Sequence, residues 1–181
     1  HALFQVASII TTTGFATVDF NLWPAFSKSL LVLLMFIGAC AGSTGGGIKC
    51  SRIVLMLKSV KKEMQYLIHP RAVRVNKMDG RRVQHEVMRS VNVFLIAYLL
   101  IFAGSVLLVS LNCEDMVTNF TAVATALNNV GPGLELVGPV ENFGFLHPLS
   151  KIVLMFDMLA GRLELFPMLL LFTPRTWLRK L

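Results

Sequence analysis

An all-α membrane protein, built from repeats in which two membrane helices flank a short re-entrant loop, is the fold class this sequence predicts. Three observations carry it. The 181-residue chain is 55% hydrophobic and only 15% charged, with a mean hydropathy of +0.67, whereas soluble domains hold about 25% charged residues. Its apolar residues gather in long runs separated by Gly-rich breaks. One arrangement, a short apolar helix that stops at a Gly turn ahead of a longer apolar helix, occurs twice.

Taken in order, residues 1–10 form an apolar run too short for a bilayer crossing, which needs about 20 residues. The run ends in Thr11, Thr12, Thr13 and Gly14, so residues 1–22 read as a pore helix and loop of an incomplete repeat. The chain opens on His1 without a charged leader, which suggests a piece that begins partway through an element. Residues 23–65 read as a membrane helix broken at 42–47 by Gly42, Ser43, Thr44, Gly45, Gly46 and Gly47. Helical spacing resumes with Ile53, Val54, Leu57 and Val60 among basic residues.

Residues 66–90 read as a basic connection, with Val73 and Val75 ahead of Asp79-Gly80 as a small hairpin. Between residues 49 and 89 stand eleven Lys and Arg against three Asp and Glu, more than the +7 of the whole chain. The positive-inside rule places that segment in the cytoplasm, and its attachment at both ends to membrane spans argues against nucleic acid as its partner. Residues 91–181 read as a complete repeat: a span at 91–111, an acidic outer connection at 112–150, and a return span at 152–172 closed by the basic, aromatic tail around Trp177. Asp115 and Thr118 are both placed to cap the pore helix expected at 120–127. Three cysteines without paired spacing indicate packing roles and no redox chemistry.

The stretch Asn128-Asn129-Val130-Gly131-Pro132-Gly133 has two readings, an ordinary turn and a pore loop. In the second, positive φ at Gly131 and Gly133 aims successive carbonyls at one axis, where they replace the water around a cation. Internal repetition favours it. Aligning Gly14 with Gly131 sets Thr12 over Asn129 and Thr13 over Val130, and each loop leads to an apolar helix that reaches Ala-Gly, at Ala41-Gly42 and Ala160-Gly161.

At these residues the sequence resembles the TrkH, KtrB and plant HKT superfamily of potassium and sodium transporters. The match runs through Thr-Thr-Thr-Gly-Phe, Ala-Gly-Ser-Thr-Gly-Gly-Gly-Ile-Lys, Asn-Asn-Val-Gly-Pro-Gly and Gly-Arg-Leu-Glu-Leu-Phe-Pro to the terminal Phe-Thr-Pro-Arg. The resemblance implies a potassium-channel-like fold of four M1-pore-M2 units, of which this chain carries the pore and M2 of the third and the complete fourth. It implies filter oxygens from Thr12, Thr13, Gly14, Asn129, Val130 and Gly131, with potassium as the substrate, held through Thr12, Thr13, Asn129 and Val130, and no covalent cofactor. It implies that the loop of Gly42, Ser43, Thr44, Gly45, Gly46 and Gly47 gates the pore with Arg162. Further implied are a multi-pass place in the cell inner membrane, a homodimer, a cytoplasmic nucleotide-binding regulatory subunit, contact with membrane lipid, and dependence on the missing N-terminal repeats.

Arg162 lies mid-span, where a charge costs about 2.5 to 3.5 kcal/mol on insertion scales, so it needs a partner or a cavity. A structural pair with Asp157 or Glu164 is one reading, and the family's pore-facing role is the other. The Gly-rich loop is no nucleotide site: Ile48 separates the last Gly from Lys49, and no Ser or Thr follows that Lys. Alternatives to potassium uptake are a sodium-permeable member of the same superfamily, a non-conducting fragment, and a membrane-embedded enzyme. No nucleophile-base pair or metal cluster accompanies Asp157, Arg162 and Glu164 in support of the last.

Overall fold

The computed structural model describes residues 1–38, 40, 42–43, 45–69, 77–78, 81–112 and 115–162. The expected roles of Thr44, Cys113, Glu164 and the tail around Trp177 lie outside these residues, as do Val73, Val75 and the Asp79-Gly80 turn.

Two units stand side by side. The first holds a pore helix α1 (Ala2–Ile10), its loop, and a membrane helix in two parts, α2 (Ala25–Phe36) and α3 (Cys50–Ile68). The second holds α4 (His85–Ser110), the pore helix α5 (Met116–Asn128), its loop, and α6 (Pro148–Arg162). Among the described residues, α4 is the helix long and apolar enough to cross a membrane. Its 26 residues extend about 39 Å. Leu100 and Leu107 are 69% and 71% exposed on it, a surface that makes sense against lipid.

Several expected boundaries shift. The second pore helix begins at Met116, four residues before Phe120, because the Asp115 carboxylate accepts the Val117 N–H at 3.0 Å. Thr118 takes no part in that cap; its hydroxyl is buried without a hydrogen bond. The break in the first unit is wider than 42–47. Helix α2 stops at Phe36, and strands β1 (Ile37–Gly38) and β2 (Ile48–Lys49) pair in parallel before α3 starts. Parallel pairing means that the chain enters and leaves the break travelling in the same direction. The basic connection does contain a hairpin, restricted among the described residues to β3 (Lys77–Met78) and β4 (Arg81–Arg82).

The α5 helix is the centre of the packing. It is buried from Thr118 to Asn128 save for the half-buried Phe120, between α4 and α6, and touches α2. Its outer half builds one apolar core with Val109, Val137, Leu146 and Leu154. A second core joins the two units, since Ile9, Phe20, Leu31 and Met35 of the first pack with Val130 and Leu134 of the second. Phe102 of α4 sets its edge against Phe36 of α2 (5.5 Å) and Phe120 of α5 (5.1 Å), where edge-to-face geometry is favourable.

Outside the core, Asn21 exchanges two hydrogen bonds with the backbone of Glu135, both 3.0 Å. Glu135 has φ +52°, an uncommon conformation for a side-chain-bearing residue, and the Asn21 amide fixes it there. The Lys28–Glu135 ion pair at 3.3 Å lies beside it, partly exposed. Removing the amide forfeits two bonds, each contributing about 1 kcal/mol, whereas an exposed pair contributes at most about 1 kcal/mol. Asn21→Ala is therefore expected to lower the thermal midpoint of the detergent-solubilised protein more than Lys28→Ala does, and an equal or reversed order contradicts this account.

Candidate functional site

Both pore helices end in the same backbone device. In the first, the Thr12 N–H bonds to the Ile9 carbonyl (3.1 Å) and the Thr13 N–H to the Ser8 carbonyl (2.9 Å). In the second, the Asn129 N–H bonds to Ala126 (3.1 Å) and the Val130 N–H to Thr125 (3.0 Å). These are Schellman caps, and each turns on a residue in the left-handed region: Thr12 at φ +54° and Asn129 at φ +55°. Asn adopts this region readily, but a β-branched Thr there is strained and persists only where its surroundings determine it. Ser8 and Gln5 supply part of that constraint by donating to the carbonyls of Phe15 (2.7 Å) and Val18 (3.0 Å), which folds the loop back on its helix.

Beyond each cap a glycine turns the chain again, Gly14 at φ +81° and Gly131 at φ +111°. The two loops touch. A Cβ on Gly14 would overlap the Val130 carbonyl oxygen, so the first loop passes directly against the backbone of the second. Five of the expected filter residues, Thr12, Thr13, Asn129, Val130 and Gly131, line one cavity of about 400 Å³. Gly133 differs from expectation. Its φ is not positive; its lack of a side chain is needed because a Cβ would stand 2.7 Å from Val137 Cγ2.

Beneath the loops lies the broken segment. The Gly46 N–H approaches Thr12 Oγ1 at 3.4 Å, and a Cβ on Gly46 would overlap the Asn128 carbonyl oxygen. Gly46 thus meets both pore-helix ends at once. Gly38 is equally confined, against the Gly46 carbonyl. Among the loop glycines whose surroundings are described, Gly42, at φ +88°, has open space around it. At Gly38 and Gly46 the missing side chain serves close backbone contact.

Arg162 lies at the end of α6 and lines a cavity of about 80 Å³ together with Ser43, Gly45, Gly47, Lys49 and Arg52. The pairing with Asp157 is not what forms. Asp157 is fully buried and accepts from Ser105 Oγ of α4 at 2.7 Å. Arg52 instead sits over the Phe94 ring, 4.0 Å from its centre, a cation-π contact that fixes the start of α3 against α4.

Four supporting contacts escaped the sequence. The Tyr98 hydroxyl donates to Asn128 Oδ1 at 2.8 Å, and the Asn128 amide donates to the Ala124 carbonyl at 2.7 Å, bracing the end of α5. Asn129 Nδ2 donates to the Met158 carbonyl at 3.1 Å. Gly161 lies where a Cβ would overlap the Leu127 carbonyl oxygen and come within 2.7 Å of Asn129 Nδ2. A Tyr and an Asn in apolar runs were visible signals of a buried polar pair, although nothing local matched them to each other.

Paired re-entrant loops at the ends of two buried pore helices, over a broken membrane helix, define a membrane transport protein of the M1-pore-M2 class. A family model described as a cation transport protein, TrkH, matches residues 1–179. The chain belongs to that family. It is 45% identical over 177 residues to the Trk system potassium uptake protein TrkH of Vibrio parahaemolyticus, and 43% identical over 177 residues to that of Salmonella typhimurium. With TrkG of Escherichia coli K12 it shares 36% over the same length. Each alignment covers 98% of this chain and 36% of the relative, so the chain spans little more than a third of their length. The crystal structure of the potassium transporter TrkH from Vibrio parahaemolyticus matches with a TM-score of 0.87 at 44% identity, over 97% of this chain and 37% of that one. These relatives are named as transporters, not enzymes.

Two substitutions test the packing. Gly161→Ala drives a methyl into backbone that cannot rotate away, and overpacking of this kind costs about 1 to 3 kcal/mol. Tyr98→Phe leaves Asn128 Oδ1 buried without its donor, a loss of about 1 to 3 kcal/mol. Both are expected to lower the thermal midpoint, and wild-type stability of either variant would contradict the contact it removes.

Proposed function

We propose that this chain forms two of the four walls of a potassium-uptake pore in the cell inner membrane. Thr12, Thr13 and Gly14 provide one wall of the filter, and Asn129, Val130 and Gly131 provide the next. The observation that carries the reading is the matched pair of left-handed caps at Thr12 and Asn129, each followed by a positive-φ glycine. Such a backbone turns carbonyl oxygens off the helix axis, where they can replace a cation's hydration shell. The negative ends of α1 and α5 point toward the same region and favour positive charge there.

In this reading the remaining two walls come from N-terminal repeats of the same polypeptide. The protein works as a multi-pass homodimer within membrane lipid, with a cytoplasmic nucleotide-binding subunit against the basic inner face. The loop containing Gly42, Ser43, Thr44, Gly45, Gly46 and Gly47 blocks the path below the filter, and Arg162 raises the barrier to cations from the shared cavity. Its planar set of five donors suits capture of loop carbonyls.

Growth of potassium-uptake-deficient cells at low potassium, carrying the full-length protein, tests the filter. Gly131→Ser places a side chain on a residue at φ +111° and is expected to abolish rescue or change the preferred ion. Rescue indifferent to the substitution by a well-expressed variant would overturn the assignment. Arg162→Ala is expected to raise rubidium flux into proteoliposomes severalfold, since removing a fixed positive charge near the path lowers the barrier; unchanged flux would remove Arg162 from the gate.

A further inference from the structure

The α3 and α4 helices enclose a cavity of about 340 Å³ that the filter and the intramembrane loop do not use. From α3 it receives Lys62 and Glu63, and from the first turns of α4 it receives His85 and Arg89. Met88, Val93 and Ile96 add apolar surface along α4, and Ser59 and Asn92 add neutral polar groups. The lining spans the level at which the charged first turns of α4 give way to its uncharged run from Val91. A cavity whose lining mixes cationic and apolar side chains, where the charged start of a helix passes into its uncharged run, matches an amphiphile with a negatively charged head.

The surroundings point to lipid as the source of that head. Val60, Met64 and Leu67 of α3 are 57%, 60% and 79% exposed, interleaved with Lys58, Lys61 and Lys62. Basic residues alternating with exposed apolar ones suit the end of a membrane helix where it passes the lipid headgroups. The α4 helix adds the positive end of its dipole, and its N-cap residue Gln84 makes no side-chain capping bond. Glu63 is the opposing charge in the lining, outnumbered by Lys62 and Arg89.

We infer that this cavity binds the phosphate headgroup of an anionic phospholipid of the inner leaflet, with one acyl chain along Met88, Val93 and Ile96. The inference rests on the membrane placement proposed above, in which residues 49–89 face the cytoplasm. Lys62 and Arg89 supply the electrostatic attraction and the α3–α4 gap supplies the shape. Occupancy ties the start of α4 to the end of α3.

The test uses full-length protein in detergent, titrated with short-chain phosphatidylglycerol, phosphatidylcholine of the same chain length, or glycerol phosphate alone. Each basic side chain near a membrane surface contributes about fivefold to anionic lipid binding, so Lys62→Gln with Arg89→Gln together should weaken phosphatidylglycerol by about thirtyfold. Phosphatidylcholine should bind weakly and equally to both proteins. Lys58→Gln with Lys61→Gln, which removes the same amount of charge from α3 outside the cavity, should leave phosphatidylglycerol affinity within about threefold. Equal loss in both pairs would replace the site with diffuse attraction, and saturation by glycerol phosphate alone would replace the lipid with a soluble phosphate. Either outcome overturns the inference. Labelling of Ser59→Cys from the periplasmic side in intact cells, in protein whose native cysteines are replaced by Ser, would instead show that the membrane placement itself is wrong.

Discussion

Backbone laid directly on backbone is the constraint on which this structure depends. Three glycines make it possible: Gly46 against the Asn128 carbonyl, Gly161 against the Leu127 carbonyl, and Gly14 against the Val130 carbonyl. Each contact brings another segment to the C-terminal end of α5, and none has room for a methyl group. The loop after α5 is held from below, from the side and from the neighbouring unit by atoms that cannot change rotamer. A cation filter needs this, because carbonyl oxygens that replace hydration must keep their spacing when the ion leaves.

The polar groups of the membrane interior serve the same end. Asn128 is fully buried, and it spends its oxygen on Tyr98 and its amide on Ala124. Asn129 ties the following residue to α6 through the Met158 carbonyl. Ser105 and Asp157 join α4 to α6 one layer away. Unsatisfied polar groups at this depth cost several kcal/mol, so each of these bonds also fixes the register of the helices it joins.

Much of this was legible in the sequence because it is local or repeated. Hydropathy marked the span at 91–111, which α4 contains except for Leu111, and the alignment of Gly14 with Gly131 set Thr12 over Asn129. The structure places those two residues in the same left-handed cap. What could not be read is what joins distant segments. Tyr98 and Asn128 are 30 residues apart, and Ser105 and Asp157 are 52 apart, with no pattern to pair them. The glycines misled in a different way: the same residue type serves positive φ at Gly131, open space at Gly42 and close contact at Gly46, and composition does not separate these uses. Gly133 looked like a second φ-driven position and is instead a packing one. Of the two carboxylates that could pair with Arg162, Asp157 turns toward α4 and Ser105, a contact between distant segments that the helix spacing does not show.

The central claim is that the two capped loops form adjoining walls of one cation site. The direct measurement is a crystal structure of the full-length protein grown in rubidium or thallium, read for anomalous scattering. The account predicts a peak on the axis faced by both segments, Thr12 to Gly14 and Asn129 to Gly131, within direct coordination distance of their oxygens. A structure at saturating ion with no peak there, or with its peaks confined to other segments, would contradict it.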